Sequence, residues 1–188
     1  MFKKSVLILS CVIFTTLTFA QELYVPRDVK RAYKNKTRDK NGMPGLNYWQ
    51  NKASYNIKIN AAPPNKSING SEEITYTNNS PDTLLVLNFK LYANEHKPGA
   101  ARLGTAGNEY LTSGVHIDKY IENGTEKKWE DSNDGTNKQI RLEKPLMPKE
   151  NLKLSIDWHY DMSEQSGREG AIDSTTFFLA YFYPRIAV

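Results

Sequence analysis

The sequence predicts an all-β protein, an antiparallel β-sandwich or large curved sheet that follows a signal peptide as a single domain. Three observations predict it. Apolar residues alternate with polar ones at a period of two from about Tyr48 onward, the period of strands with one buried face. Gly, Pro and Asn turns divide these runs into seven or eight short segments. After residue 42 no stretch carries a 3.6-residue apolar stripe, so helical layers have no sequence support.

The chain of 188 residues opens with MFKKSVLILSCVIFTTLTFA. Lys3 and Lys4 form a basic start, an apolar stretch runs from Ser5 to Phe19, and Thr18 and Ala20 suit a cleavage site before Gln21. This is the grammar of a secretory signal over residues 1–20, too short for a stable membrane span. It predicts export to the periplasm or the extracellular space. Cys11 is the single cysteine and leaves with the signal, so the exported protein relies on a packed core without disulfides. Losing Lys3 and Lys4 takes the formal charge from +4 to +2. So balanced a chain has no general affinity for nucleic acid. Residues 21–47 read as a polar leader, with the basic run RDVKRAYKNKTRDK as a solvated face. Residues 48–188 hold the β-domain.

Within that domain, Tyr55, Ile57 and Ile59 alternate in YNIKIN, and Pro63-Pro64 ends the strand. Asn69-Gly70 predicts a tight turn leading into SEEITYTN, where Ile74 and Tyr76 face inward. TLLVLNFKLY, residues 83–92, is apolar on nearly both faces and predicts a central strand covered on both sides. Residues 93–113 are irregular. Val115–Ile121 is a weak strand turned by Asn123-Gly124, and Asp134-Gly135 turns into KQIRLEKPL. LKLSIDWHYD is the cleanest amphipathic strand, with Leu152, Leu154, Ile156, Trp158 and Tyr160 on its inner face. The terminal run TTFFLAYFYPRIAV predicts a last apolar strand, and its position at the end predicts a chain truncated before a further domain.

Chemistry is sparse. His96, His116 and His159 belong to no zinc-binding spacing. Asp157, His159 and Asp161 share a strand face, but residues two apart lie about 6.6–7 Å from one another, which spans a cation poorly. Glu72 and Glu73 occupy successive strand positions and point to opposite faces, so they do not cooperate. QSGREG lacks the phosphate-cradle arrangement and reads as a loop. The sequence therefore predicts no catalytic set and no metal ligand in this chain.

Taken in order, YNIKIN, INGSEEITYTNNSPDTLLVLNFKLY and RLEKPLMPKENLKLSIDWHY resemble the opening of the aminopeptidase N-like family of zinc metallopeptidases (gluzincins). The shared style is a Y-x-I-x-I strand, a glycine turn into a polar–apolar strand ending in Asn, a T-L-x-x-L-x-F-x-L strand, and a PL-x-P turn before the long amphipathic strand. The resemblance runs from about Tyr48 to Val188. It implies a non-catalytic N-terminal β-domain that packs against, and partly roofs, a zinc catalytic domain outside this chain. Zinc and peptide substrate would belong to that domain, and hydrolase activity to the parent protein. Many family members bind the substrate's amino group with a Gln or Glu near the end of the β-domain. Here AYFYPRIAV has neither, and Tyr181, Phe182, Tyr183 and Arg185 occupy the stretch as candidates for a substrate or domain interface. The alternative is a free-standing exported module that binds carbohydrate or protein surfaces through Trp49, Trp129, Trp158 and the tyrosines.

Overall fold

The strand that organises the molecule is LKLSIDWHYD. In a computed structural model that describes residues 23–130, 135–165 and 167–187, it forms β7 (Asn151–Asp161). Every second residue, Leu152, Leu154, Ile156, Trp158 and Tyr160, is buried. Such burial contributes about 1.5–3 kcal/mol for each large apolar side chain. β2 (Ser67–Thr77) lies antiparallel to β7 in unbroken register from Ser67 opposite Asp161 to Thr77 opposite Asn151. β1 (Lys52–Ala61) is the outer neighbour of β2, while β4 (His116–Glu122) and β5 (Thr125–Lys127) continue the sheet on the far side of β7.

A second antiparallel sheet has β3 (Leu84–Lys90) at its centre, between β6 (Asn137–Leu146) and β10 (Arg185–Ile186). One hydrophobic core draws on both sheets, Leu87, Phe89 and Leu142 from the second meeting Ile74, Tyr120 and Ile156 from the first. The Phe89 ring meets Tyr120 edge-on at 6.5 Å. The architecture is the all-β, antiparallel, sandwich-like one that the period-two pattern predicts. β8 (Gly170–Ala171) and β9 (Phe177–Phe178) form a small separate hairpin. Where β6 hands over to β7, buried Asn78 closes the corner. Its Nδ2 donates to the carbonyls of Asp82 (2.8 Å) and Leu146 (3.0 Å), and its Oδ1 accepts from Ser80.

Three sequence expectations need correction. Asn69-Gly70 is not a turn. Both residues lie inside β2, opposite Asn60 and Ile59 on one side and His159 and Trp158 on the other. The glycine is there for space, since a Cβ on Gly70 would sit 2.2 Å from Trp158 Cζ2. The β1–β2 connection instead runs through Pro63-Pro64, which removes two backbone donors just past the strand. Second, β3 is central in its sheet but buries only one face. A register shift between Leu84 and Val86 leaves Leu85 half exposed, while Leu87 and Phe89 point inward. Third, TTFFLAYFYPRIAV is not one strand. Its described residues contain only the two-residue strands β9 and β10, with Tyr181 at φ +54 and buried Pro184 between them. A left-handed residue cannot continue a pleat.

Contacts divide the chain into two compact units, Met1–Tyr48 and Trp49–Val188. The described part of the first holds helix α1 (Arg27–Lys34), which buries none of its residues. Asp28 in its first turn pairs with Arg31 at 2.9 Å. The chain then folds back through an antiparallel bridge between Arg38 and Pro44. The predicted signal segment, residues 1–20, and Asp134 of the predicted Asp134-Gly135 turn lie outside the described residues. Among the described residues no helix is long and apolar enough to cross a membrane.

Candidate functional site

An open groove of about 900 Å³ runs along β1, β3 and β10. Lys52, Ser54 and Tyr55 come from β1, Thr75 and Thr77 from β2, Lys90 from β3, Tyr183 from the segment leading into β10 and Arg185 from β10 itself. Among the described residues the lining has three cations, several hydroxyls and no carboxylate side chain. A groove of that character attracts anionic and hydrogen-bonding surface.

The predicted residues divide around it. Arg185 lies against two aromatic faces, its guanidinium carbon 4.9 Å from the Tyr92 ring centre and 5.2 Å from that of Tyr181. It also donates to Tyr92 Oη at 2.9 Å. Among the described residues no carboxylate pairs with it, so the π-faces and the phenol hold its charge. Tyr181 is 45% exposed and packs against Tyr92 with the rings tilted, centroids 4.8 Å apart. Its left-handed backbone is a conformation that costs a non-glycine residue on the order of 1 kcal/mol or more. Phe182 turns inward instead, 6.4 Å from Trp158 and 5.2 Å from Tyr183. Tyr183 reaches the groove and meets Tyr55 edge-on at 5.4 Å. The fold thus brings Tyr181, Tyr183 and Arg185 to one locality and gives Phe182 to the core.

Tyr55 ties β1 to the terminal segment, accepting the Ile186 N–H at 2.9 Å. Burial pushes its phenol up to about 12 despite that hydrogen bond, so it stays neutral. Exposed apolar side chains lie nearby in sequence, Ile172 and Phe178 on the β8–β9 hairpin.

The tryptophans do not supply an open stacking platform. Trp158 is 1% exposed, Trp129 packs edge-on against Phe89 and Tyr120 at 5.8 and 5.5 Å, and only Trp49 stands exposed. His159 takes a surface pairing with Asp118 at 2.8 Å and stacks on His116 at 4.8 Å.

Two buried groups escape sequence reasoning. Glu72 is 1% exposed between Ile57 and Ile156, and neither carboxylate oxygen has a hydrogen-bond partner. Burial pushes it up to about 8. Alternation along β2 places it on the inner face with Ile74 and Tyr76, which was the available signal. His96 is also buried, and its ring nitrogens meet Tyr110 O at 2.9 Å and Glu169 Oε1 at 2.8 Å. No sequence spacing announces a contact across 73 residues.

No family model and no curated protein matches the chain. Two solved structures of an M1 zinc metallopeptidase from Deinococcus radiodurans, both of a single-residue mutant, are similar to it over part of its length. The one with a Tyr-Ser-Ala substrate bound is 14% identical, with a TM-score of 0.42, covering 64% of this chain and 22% of that one. The other is 16% identical, also with a TM-score of 0.42, covering 68% of this chain and 25% of that one. The chain spans a quarter or less of the length of the proteins it matches.

Proposed function

We propose that residues 48–188 are the non-catalytic N-terminal β-domain of an exported, aminopeptidase N-like zinc metallopeptidase. The observation that carries the reading is the order of strand motifs. The Y-x-I-x-I, Asn-ended, T-L-x-x-L-x-F-x-L and PL-x-P segments resemble that family's opening, and here they form β1, β2, β3 and the β6–β7 corner. The domain's work in this reading is to dock on a catalytic domain that carries the zinc and the peptide site. The cationic groove and the exposed Tyr181 beside it are the docking face. Tyr183 and Arg185 line it, and Phe182 supports it from the core side.

The test is the coding DNA beyond Val188. An open frame encoding H-E-x-x-H with a downstream Glu supports the assignment; an immediate stop overturns it. With the longer protein in hand, Tyr181→Ser and Arg185→Ala should loosen the docked domains, read as separate unfolding transitions. The carbohydrate-module alternative gains nothing from the tryptophan positions.

A further inference from the structure

Three ligand-type side chains that are distant or unremarkable in sequence meet beside Tyr110. Glu95 and His96 lie on the short 3-10 turn Tyr92–His96, and Glu169 immediately precedes β8. The turn is held firmly. Asn94 Nδ2 donates to the Gly135 carbonyl, Asn94 Oδ1 accepts the Val115 N–H, and the His96 carbonyl accepts the Thr112 N–H. His96 Nδ1 lies 2.9 Å from the Tyr110 carbonyl oxygen. A carbonyl only accepts, so the hydrogen of the ring belongs on Nδ1. In the neutral ring, Nε2 is then a bare lone pair, and it faces another acceptor, Glu169 Oε1, at 2.8 Å. Two acceptors at that distance need a positive species between them.

A further observation points the same way: Glu169 Oε2 is buried and has no hydrogen-bond partner.

We propose that Glu95, His96 and Glu169 form a divalent transition-metal site, with Zn²⁺ as the ion that fits. Their ligand atoms all lie within 4.8 Å of one another, with Glu95 Oε1 3.8 Å from His96 Nε2. Two tetrahedral zinc ligands at about 2.0–2.2 Å from the metal stand about 3.3–3.6 Å apart, so His96 Nε2 and Glu169 Oε1, at 2.8 Å, must separate by about 0.5–0.8 Å to admit the ion, while the Glu95–His96 spacing is already close to that range. One imidazole and two carboxylates form a nitrogen–oxygen set without thiolate, which suits Zn²⁺ and its divalent neighbours. The Tyr110 carbonyl acts on the ring from outside, fixing the tautomer that leaves Nε2 free to bind. Three protein ligands leave a fourth position for water. The site stands apart from the aminopeptidase-like reading, since none of its residues lines the docking groove.

The experiment uses the purified full chain, stripped with a chelator and titrated with Zn²⁺ by calorimetry, with a thermal melt at each ratio. The expected result is one ion per chain and a rise in Tm of several degrees. Glu95 is half exposed, so Glu95→Gln should fold normally and weaken Zn²⁺ about tenfold or more. Glu169→Gln should abolish stoichiometric binding, and His159→Ala, which alters the surface His116–His159 pair, should leave it unchanged. The proposal is overturned if the folded chain binds no Zn²⁺, which would mean that a proton occupies the His96–Glu169 contact. It is equally overturned if Glu95→Gln and Glu169→Gln bind as tightly as the parent, or if His159→Ala removes the binding.

Discussion

Replacing Glu72 by Gln removes one titratable group from the centre of the first sheet and little else. The carboxyl is 1% exposed, has Ile57 and Ile156 as cross-strand neighbours, and has no partner on either oxygen. Burial moves it from 4.5 to about 8. The folded state therefore holds this proton more tightly than the unfolded chain does. The stability associated with the neutral form is fully present below pH 4.5, falls as pH rises, and is lost once pH passes about 8. At about 1.4 kcal/mol per pH unit, the loss reaches about 3 kcal/mol at pH 7 and about 5 kcal/mol at pH 9. Gln keeps the shape and polarity but never ionises. Glu72→Gln should match the parent within about 1 kcal/mol at pH 5 and exceed it by about 3 kcal/mol at pH 7, a rise in Tm of about 6–12 °C. Urea unfolding followed by tryptophan fluorescence at pH 5, 7 and 9 measures this. A difference that is the same at all three values would refute the reasoning, and a variant weaker than the parent throughout would reveal a partner for the carboxylate.

Other expectations follow from the same contacts. Gly70→Ala drives a methyl into the Trp158 ring and should cost about 3 kcal/mol by denaturant midpoint, with Gly70→Ser no better. Arg185→Ala removes two cation–π contacts and a hydrogen bond, and should cost about 1–2 kcal/mol; Arg185→Lys should recover only part of that, because an ammonium lacks the planar, delocalised guanidinium face. Asp118→Asn breaks an exposed pair with His159 and should change stability by less than about 0.5 kcal/mol. The 188-residue chain should leave aminoacyl-arylamides uncleaved with or without added zinc, and chelator-sensitive turnover would count against a purely supporting role.

Alternation alone determined the class of this fold. The inner face of β7, from Leu152 to Tyr160, is readable residue by residue because side chains in a strand alternate whatever its neighbours are. The same rule put Glu72 and Glu73 on opposite faces, but the sequence did not single out Glu72 as a buried acid. Where local and tertiary demands compete, the sequence misled. Asn69-Gly70 is good turn chemistry, yet the glycine exists so that the Trp158 ring, 88 residues later, can lie on the backbone of β2. The bulge that turns Leu85 outward depends on pairing with β6, and hydrophobicity does not encode it. The terminal aromatics announced themselves by composition. Their division into a groove wall, an exposed clamp on Arg185 and a core plug rests on one left-handed residue at 181 and on what lies opposite. The meeting of His96 with Glu169 was wholly out of reach, because ligand geometry is a property of space and the chain between them carries no spacing rule.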